Sequence, residues 1–284
     1  MLLLADSGST KTTWCLVDRE GERTRFQTSG MNPYQQGERE LREVIERELY
    51  PRVRDERIEA VRFYGAGCAF PEKNRLVAEA IGRLIPVSVT VESDLLGAAR
   101  ALCGTAPGIA CVLGTGSNTC LYDGRAIADH IPPLGFILGD EGSGASLGRR
   151  LAGDCLKRRL PRHLAEVFLM RYGLDEATLL ERVYRGSFPN RFLASLSPFL
   201  LEHIEEPEVR GLVCESFGDF FRRNVMGYAG YRELPVHFVG SIAFYYEPVL
   251  REVADRLGIQ VGQVAREPMG GLVRFHRMEA QVDR

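Results

Sequence analysis

Residues 2–14 read LLLADSGSTKTTW, and residues 109–120 read IACVLGTGSNTC. In both stretches a short apolar strand runs into a turn of glycine and hydroxyl-bearing residues, and a second strand follows. Glycine lets a ligand come close to the backbone, and the N–H groups and hydroxyls of such a turn can bind an anion. One such turn is weak evidence. Two in matching places suggest duplicated half-sites that hold one polyphosphate from two sides.

The elements predicted around these stretches also repeat. The first half is predicted as a three-strand meander followed by alternating helices and strands: strands 2–5, 13–18 and 22–28, helix 37–54, strand 58–64, helix 71–84, strand 87–91 and helix 94–102. The second half is predicted to open with the same meander and to continue in the same way: strands 109–113, 118–122 and 125–129, helices within 143–230, strand 236–239, helix 243–257, strand 259–264 and a helix from 269. This order predicts an α/β fold of two domains with an interdomain cleft, because ligands bind at the carboxyl ends of strands in such sheets.

The domain boundary is predicted at residues 104–108, where glycine, threonine and proline cluster. We expect an N-terminal domain of residues 1–105, completed by a C-terminal helix at about 269–284. The second domain is expected to span residues 106–268 and to contain a helical insertion at about 143–230.

Composition excludes several classes of protein. The 284 residues carry a formal net charge of −2, and without an overall basic charge nucleic acid is not expected as a partner. The seven cysteines are scattered without a C-x-x-C pair, which argues against a zinc ribbon or a disulfide framework. Reducing, cytoplasmic surroundings are therefore expected. No stretch is long and apolar enough to predict a secretory leader or a membrane span.

Two aspartates follow directly on predicted strands. Asp6 opens the first turn, where a carboxylate can hold a hydrated Mg²⁺ against phosphates, and Lys11 with the turn hydroxyls could bind phosphate oxygens. Asp94 lies between a strand and a helix and could act as a general base. Each also has an ordinary structural explanation, Asp6 as part of a hydrogen-bonded hairpin turn and Asp94 as a helix N-cap.

Two later turns could bind ligands. Residues 139–143 read GDEGS, and Asp140 in this run could bind a sugar hydroxyl. Gly240 and Ser241 follow an apolar strand, and a glycine there allows a flat ring to lie on the backbone. Both turns are equally compatible with a purely structural role. Asn32, in the segment SGMNP, is expected to lie beside the same ligands.

A competing motif occurs at residues 144–148, which read GASLG and match the G-x-S-x-G nucleophile elbow of serine hydrolases. That elbow requires a preceding strand, whereas here a Gly/Asp/Glu turn precedes it. The small residues therefore indicate close helix packing. The P-loop pattern G-x-x-x-x-G-K-[ST] does not occur in the chain.

Five motifs in this order resemble the BadF/BadG-type ATPase family, in its N-acetylglucosamine kinase branch of the sugar kinase/Hsp70/actin superfamily. The resemblance spans nearly the whole chain and is carried by DSGSTKT at 6–12, ESDLLGAA at 92–99, LGTGSN at 113–118, GFILGDEGS at 135–143 and GSIA at 240–243. It implies two ribonuclease H-like domains in an actin-like ATPase fold. It also implies an enzyme that uses ATP and Mg²⁺ to phosphorylate the 6-hydroxyl of an amino sugar, N-acetylglucosamine first among the substrates.

The resemblance also assigns roles to residues. Asp94 would be the general base and Asp6 would organise Mg²⁺ through water. The nucleotide and its phosphates would be bound by Gly8, Ser9, Thr10, Lys11, Thr12, Gly114, Thr115, Gly240 and Ser241. The sugar would be bound by Asn32, Thr115, Gly116, Asn118, Gly139 and Asp140.

One segment departs from the family. Relatives often carry Gly-Gly-Trp-Gly before the Gly-Asp-Glu-Gly run, whereas residues 132–135 here read PPLG. N-acetylmuramic acid and glucosamine therefore remain open as substrates. Two other functions also remain open. One is an ATPase activator of a 2-hydroxyacyl-CoA dehydratase, for which the cysteines show no iron–sulfur motif, and the other is a non-catalytic sensor. The helical stretch 143–230 could form a homodimer surface.

Overall fold

The computed structural model describes residues 1–8 and 10–282, with side chains up to residue 280. The chain forms two compact units. Unit 1 contains Met1–Ala106, Tyr122–Ile127 and the C-terminal residues from Glu267 on. Unit 2 contains Pro107–Leu121 and Ala128–Arg266.

Strands and helices are numbered in chain order. The strands are β1 (Leu2–Ser7), β2 (Lys11–Val17), β3 (Glu22–Ser29), β4 (Ala60–Gly65), β5 (Ser88–Ser93), β6 (Gly108–Leu113), β7 (Ser117–Tyr122), β8 (Ile127–Asp129), β9 (Val236–Val239) and β10 (Val261–Ala265). The helices are α1 (Glu38–Val44), α2 (Tyr50–Val53), α3 (Pro71–Gly82), α4 (Asp94–Cys103), α5 (Gly135–Leu138), α6 (Gly144–Leu156), α7 (Arg162–Tyr172), α8 (Glu176–Tyr184), α9 (Pro189–Ser195), α10 (Ser197–Glu202), α11 (Pro207–Phe220), α12 (Ser241–Tyr245), α13 (Glu247–Arg256) and α14 (Met269–Val282). Two π-helical turns, Ile45–Leu49 and Phe221–Val225, continue α1 and α11.

The two sheets have matching topology. The first has the order β3-β2-β1-β4-β5, and the second has the order β8-β7-β6-β9-β10. In the first sheet β2 is antiparallel to β1 and β3, whereas β4 and β5 are parallel to β1. In the second sheet β9 is parallel to both β6 and β10. The predicted duplication of a meander followed by crossover strands is therefore confirmed.

The core of unit 1 lies on both faces of its sheet because side chains alternate along β1. Leu3 faces the layer that contains Trp14 and Phe63, whose rings are 5.9 Å apart. Leu4 faces the other way and packs with Tyr64. That second layer is closed by α4 and α14. Strand alternation places Asp6 on the same face as Leu4.

Unit 2 is built around an aromatic core. Phe199, Phe217, Phe220 and Phe238 are fully buried in one cluster, with Phe168 beside Phe199 at a ring distance of 5.3 Å. The predicted breaks in the helical stretch coincide with helix ends: α7 follows Pro161 and ends at Gly173, α9 begins at Pro189, and α11 begins at Pro207. The single turn α5 was not predicted. Within the described part of the chain no helix is long and apolar enough to cross a membrane.

We expect the contact between α14 and α4 to depend on one glycine. A Cβ atom at Gly271 would lie 2.2 Å from the carbonyl oxygen of Ala101, whereas one at the neighbouring Gly270 would have only the end of the Arg274 side chain, at 3.9 Å. Gly271→Ala should therefore lower the free energy of unfolding by about 1–3 kcal/mol. Gly270→Ala should be neutral or slightly stabilising. Urea unfolding of both variants compares them, and equal effects would contradict this packing.

Candidate active site

The first part of the site is the carboxyl edge of the sheet in unit 1. The register of the parallel strands pairs Ser7 with Gly65 and Gly65 with Ser93, so β1, β4 and β5 end at one edge. Asp6 lies one residue before the end of β1, and Asp94 is the first residue of α4 directly after β5. Ser93 caps α4, and its hydroxyl accepts the N–H of Leu96 at 3.2 Å. Asp94 is therefore not needed as the N-cap that sequence reasoning had weighed.

Burial raises the pKa of both carboxyl groups, and like charge adds to the effect at Asp6. Burial, followed by the charges of Asp94 and Glu267, raises the pKa of Asp6 to about 7, and Lys11 partly offsets this. Burial also raises the pKa of Asp94, against the lowering effect of the Leu95 N–H, which donates to Asp94 Oδ1 at 2.9 Å. This edge of the sheet therefore concentrates negative charge that a cation would stabilise.

The first predicted phosphate turn is a tight hairpin turn. Gly8 N–H donates to the Lys11 carbonyl at 3.0 Å, and the Lys11 ammonium lies 3.8 Å from the Glu267 carboxylate. Thr10 is exposed, but the hydroxyl of Thr12 is buried, 2.7 Å from the Ser7 hydroxyl. The Thr12 hydroxyl therefore has partners inside the fold. Ser9 lies outside the described residues.

Asn32 is held in the loop after β3. It is 7% exposed, its Oδ1 accepts the Tyr34 N–H at 2.9 Å, and its own N–H donates to Gln36 Oε1 at 2.7 Å. Gly67 at φ +78° lies against it, since a Cβ there would be 2.3 Å from Asn32 Oδ1. Gly67 belongs to the turn after β4, which places Asn32 near the carboxyl edge of the same sheet.

The second predicted turn, residues 114–116, lies in unit 2 and is braced by α6. Gly114 N–H donates to the Gly116 carbonyl at 3.0 Å. The Gly114 carbonyl accepts the Gly144 N–H at 2.8 Å, and the Thr115 carbonyl accepts the Ala145 N–H at 3.0 Å. The first turn of α6 therefore fixes this loop, and the GASLG run is a helix that packs closely rather than a nucleophile elbow.

Asp140 lies directly against this turn. Its Oδ1 accepts the Ser117 N–H at 3.2 Å, and a Cβ at Gly116 would stand 3.0 Å from its Oδ2. Asp140 is 8% exposed, and burial raises its pKa against the lowering effect of the Ser117 N–H. Only glycine fits at position 139, because a Cβ there would be 2.1 Å from the Pro133 carbonyl oxygen.

The neighbouring strand contributes Asn118, whose Oδ1 lies 2.9 Å from His130 Nε2 and accepts the Thr119 N–H at 3.0 Å. The PPLG segment leads into α5, where Ile137 and Leu138 are each 72% exposed. The Arg149 guanidinium holds this turn by donating to the Phe136 carbonyl at 2.9 Å. The departure from the family motif has thus produced an exposed apolar turn close to Asp140.

A cavity of about 510 Å³ in unit 2 adjoins the second turn. It joins the predicted residues Gly114, Thr115 and Ser241 to residues that sequence reasoning missed, among them Arg191 and Tyr245. Gly240, directly before Ser241, has φ +124°, and a Cβ there would be 2.2 Å from the Leu113 carbonyl oxygen. The missed residues lie on α9, α10 and α12, and no motif in the sequence marks them. A cavity of this size suits a small-molecule ligand.

The residues at the edge of unit 1 fit a hydrated divalent cation. Among residues 1–8 and 10–282, no group of three or more His, Cys, Asp and Glu side chains is arranged to hold a metal directly. Mg²⁺ prefers oxygen ligands and keeps several of its waters. The mutual repulsion at Asp6 is the property that such a cation would relieve.

We expect Asp6→Asn to stabilise the fold at high pH when no metal is present. The folded pKa of about 7 exceeds the unfolded value of 3.8, so the stability of the wild type falls as pH rises from about 4 to above 7. The variant should gain about 2–4 kcal/mol at pH 8 and nothing at pH 4. Melting curves across this range measure the difference. Asp55→Asn, at a side chain 89% exposed, is the control, and a pH-independent effect of Asp6→Asn would contradict the expectation.

No protein-family model and no curated protein matches the chain. Solved structures do match. A protein named "putative N-acetylglucosamine kinase" from Porphyromonas gingivalis shares 49% identity over 99% of this chain and 100% of that chain, with a TM-score of 0.94. A second protein of that name, from Chromobacterium violaceum, shares 19% identity over 96% of this chain and 98% of that chain, with a TM-score of 0.74.

A ROK hexokinase from Thermus thermophilus shares 16% identity and a TM-score of 0.52 over 99% of both chains. At this identity the likeness concerns the fold. With the matching sheet topologies it confirms the predicted class, an α/β protein with two ribonuclease H-like domains of the actin-like ATPase fold. The 49% identity over the full chain settles the family. The chain belongs to the BadF/BadG-type ATPase family of the sugar kinase/Hsp70/actin superfamily, in its N-acetylglucosamine kinase branch.

Proposed function

We propose that this protein transfers the γ-phosphoryl group of ATP to the 6-hydroxyl of an amino sugar, with N-acetylglucosamine as the first candidate. The single observation that carries the proposal is the pairing of Asp6 and Asp94 at one edge of the unit 1 sheet. It occurs in a chain 49% identical to a protein named "putative N-acetylglucosamine kinase". The Asp6 carboxylate would bind the hydrated cation, and the Asp94 carboxylate would accept a proton.

In the proposed mechanism Asp94 accepts the proton of the sugar hydroxyl as the phosphorus–oxygen bond forms. The Leu95 N–H holds one oxygen of the carboxylate, which sets its orientation. A carboxyl pKa that is raised towards the working pH makes a stronger base than an exposed aspartate. Phosphoryl transfer depends chiefly on positioning and charge neutralisation, so one oriented base is sufficient.

The nucleotide is assigned to both glycine-rich turns and to the cavity of unit 2. Gly8, Thr10 and Lys11 are proposed to contact phosphate oxygens, as are Gly114 and Thr115. Mg²⁺, when bound near Asp6, would neutralise charge on those oxygens. The 510 Å³ cavity beside Ser241 would hold the adenosine. Thr12 is given a structural role, because its hydroxyl bonds within the fold.

The sugar is assigned to Asp140, Asn118 and Asn32. A buried carboxylate can accept hydrogen bonds from two sugar hydroxyls, and Asp140 is held in place by the Ser117 N–H. The apolar turn α5 lies close in sequence to Asp140 and is joined to it by the Asp140 N–H, which donates to the Pro133 carbonyl at 2.9 Å. This turn, in place of the family's tryptophan, supports a sugar with an apolar substituent.

The activator alternative is not favoured. An iron–sulfur cluster shared by two subunits requires cysteines at the surface. Each of the seven cysteines is buried or half-buried. Burial raises the pKa of Cys103 to about 12, which disfavours the thiolate that a cluster needs.

ADP release measured across N-acetylglucosamine, N-acetylmuramic acid and glucosamine tests the function. We expect N-acetylglucosamine to stimulate release well above the sugar-free rate. Asp94→Asn should lose about 100- to 10,000-fold in turnover while its affinities for ATP and sugar stay within about twofold, since only the proton acceptor is removed. Asp255→Asn, at an exposed position of α13, is the matched control and should behave as wild type. Equal release with and without every sugar would refute the kinase, and full turnover by Asp94→Asn would refute the base.

A second test concerns the nucleotide cavity. Tyr245 lines it and is 46% exposed, so its ring is available to an adenine. Tyr245→Ala should raise KM for ATP about two- to tenfold, the range expected for one aromatic contact, with KM for the sugar unchanged. Tyr184→Ala, at a ring 80% exposed in α8, is the control. An unchanged KM for ATP in the Tyr245 variant would place the adenosine elsewhere.

A further inference from the structure

A second cavity, of about 950 Å³, lies in unit 1 and extends from the amino ends of β1 and β4 along β5, where Thr90 and Glu92 line it. Its walls include the start of β1 at Leu2, the start of β4 at Ala60 and the C-terminal half of α14 at His276. Parallel strands point their carboxyl ends away from this side. None of the described candidate active-site residues lines the cavity, so a ligand bound in it would be independent of the proposed function.

Four arginines line this cavity: Arg19, Arg62, Arg100 and Arg277. Within residues 1–8 and 10–280, none of their guanidinium groups has a carboxylate within 4.0 Å, although arginine–carboxylate pairs such as Arg25 with Glu22 occur elsewhere in the same unit. The wall also contains four acids. Glu59 pairs with the N-terminal ammonium at 3.2 Å, and Asp18 accepts the backbone N–H of Glu20 at 2.8 Å, whereas the charges of Glu92 and Glu279 act on Arg100. Asp18 and Glu59 are thus engaged by other groups, and Glu92 and Glu279 offset part of the positive charge without forming an ion pair with any of the four arginines in the described part of the chain.

Arg100 is held in place but only partly hydrogen-bonded. Its Nη1 donates to the Tyr64 hydroxyl at 2.9 Å, and its guanidinium lies over the rings of Tyr64 and Phe275 at 5.8 and 5.3 Å. Its Nε is buried and has no hydrogen-bond partner among the residues that the structure describes. An unpartnered buried donor on a charged group costs free energy, so this guanidinium is not fully satisfied within the chain.

His276 is buried beside Arg100 and Arg62. Burial, followed by the charges of Arg100 and Arg62, lowers its pKa to about 3, so the ring is neutral at physiological pH. Its Nδ1 lies 2.7 Å from a Glu279 oxygen, and its Nε2 lies 2.9 Å from the Tyr64 hydroxyl. A neutral ring therefore donates to Glu279 and accepts from Tyr64, which leaves the Tyr64 oxygen to accept from Arg100.

We propose that this cavity binds a phosphate-bearing small molecule and that Arg62 and Arg100 hold the phosphate. Arg62 is also pre-positioned, because its Nη1 donates to the Thr90 hydroxyl at 3.1 Å. Planar guanidinium groups bind phosphate oxygens in pairs, and little entropy is lost when the groups are already held. The volume leaves room for the organic part of a phosphate monoester.

Calorimetric titration of the full-length protein with inorganic phosphate tests this site. Arg62→Gln should weaken phosphate binding by about tenfold or more, the effect of removing one charge-assisted hydrogen bond. Arg39→Gln, at a side chain 90% exposed on α1, is the matched control and should bind as wild type does. Arg277→Gln, at the rim, provides a second variant if Arg62→Gln does not fold. Equal affinity in all of these proteins, or tighter binding of malonate than of phosphate, would overturn the proposal.

The position of the bound anion is tested separately with crystals soaked in selenate, a tetrahedral oxyanion whose selenium scatters anomalously. An anomalous peak within hydrogen-bond distance of Arg62 and Arg100 is expected. A peak only at the turns 8–12 or 114–116 would show that phosphate binds at the candidate active site alone and would overturn the second site. Neither experiment requires sugar kinase activity, so a failure of one proposal is distinguishable from a failure of the other.

Discussion

The structure of unit 1 depends on the close packing of α4 against the sheet and against α14. A Cβ at Gly97 would lie 2.8 Å from the Tyr64 side chain, and one at Gly271 would lie 2.2 Å from the Ala101 carbonyl oxygen. Only glycine allows these approaches, so α4 is seated at one depth and in one orientation. Asp94 begins this helix and Arg100 lies near its end. Both the candidate active site and the second cavity take their geometry from that one placement.

The cost of this packing is electrostatic. Burial at the edge of the sheet, followed by the charges of Asp94 and Glu267, raises the pKa of Asp6. Sites that bind cations and phosphates commonly hold such unfavourable charge, because the ligand relieves it. In unit 2 the candidate binding residues are held by backbone hydrogen bonds instead. Two backbone N–H groups in the first turn of α6 donate to carbonyl groups of the glycine-rich turn. The Ser117 N–H donates to Asp140 and holds it beside that turn.

Sequence reasoning predicted the order and type of nearly all the described strands and of the long helices. Their apolar residues recur at periods of two or 3.6, and proline and glycine mark their ends, as Pro161 and Gly173 do for α7. It missed α5, since four residues carry no periodic pattern. It had also weighed Asp94 as an N-cap, a role that Ser93 fills in the structure. Whether the assigned residues bind ATP and sugar remains a prediction.

The sequence by itself determined the duplicated topology and the identity of the motif residues, because strand and turn patterns are local and the motifs are contiguous. Tertiary structure alone decided which of those residues lie together within each unit and which make hydrogen bonds inside the fold. The sequence predicts Thr12 as a phosphate ligand, and only the structure shows that its hydroxyl lies 2.7 Å from that of Ser7. Arg191 and Tyr245, by contrast, carry no motif and yet line the nucleotide-sized cavity. Burial and the convergence of distant helices create these properties, and neither is encoded in any short stretch of chain.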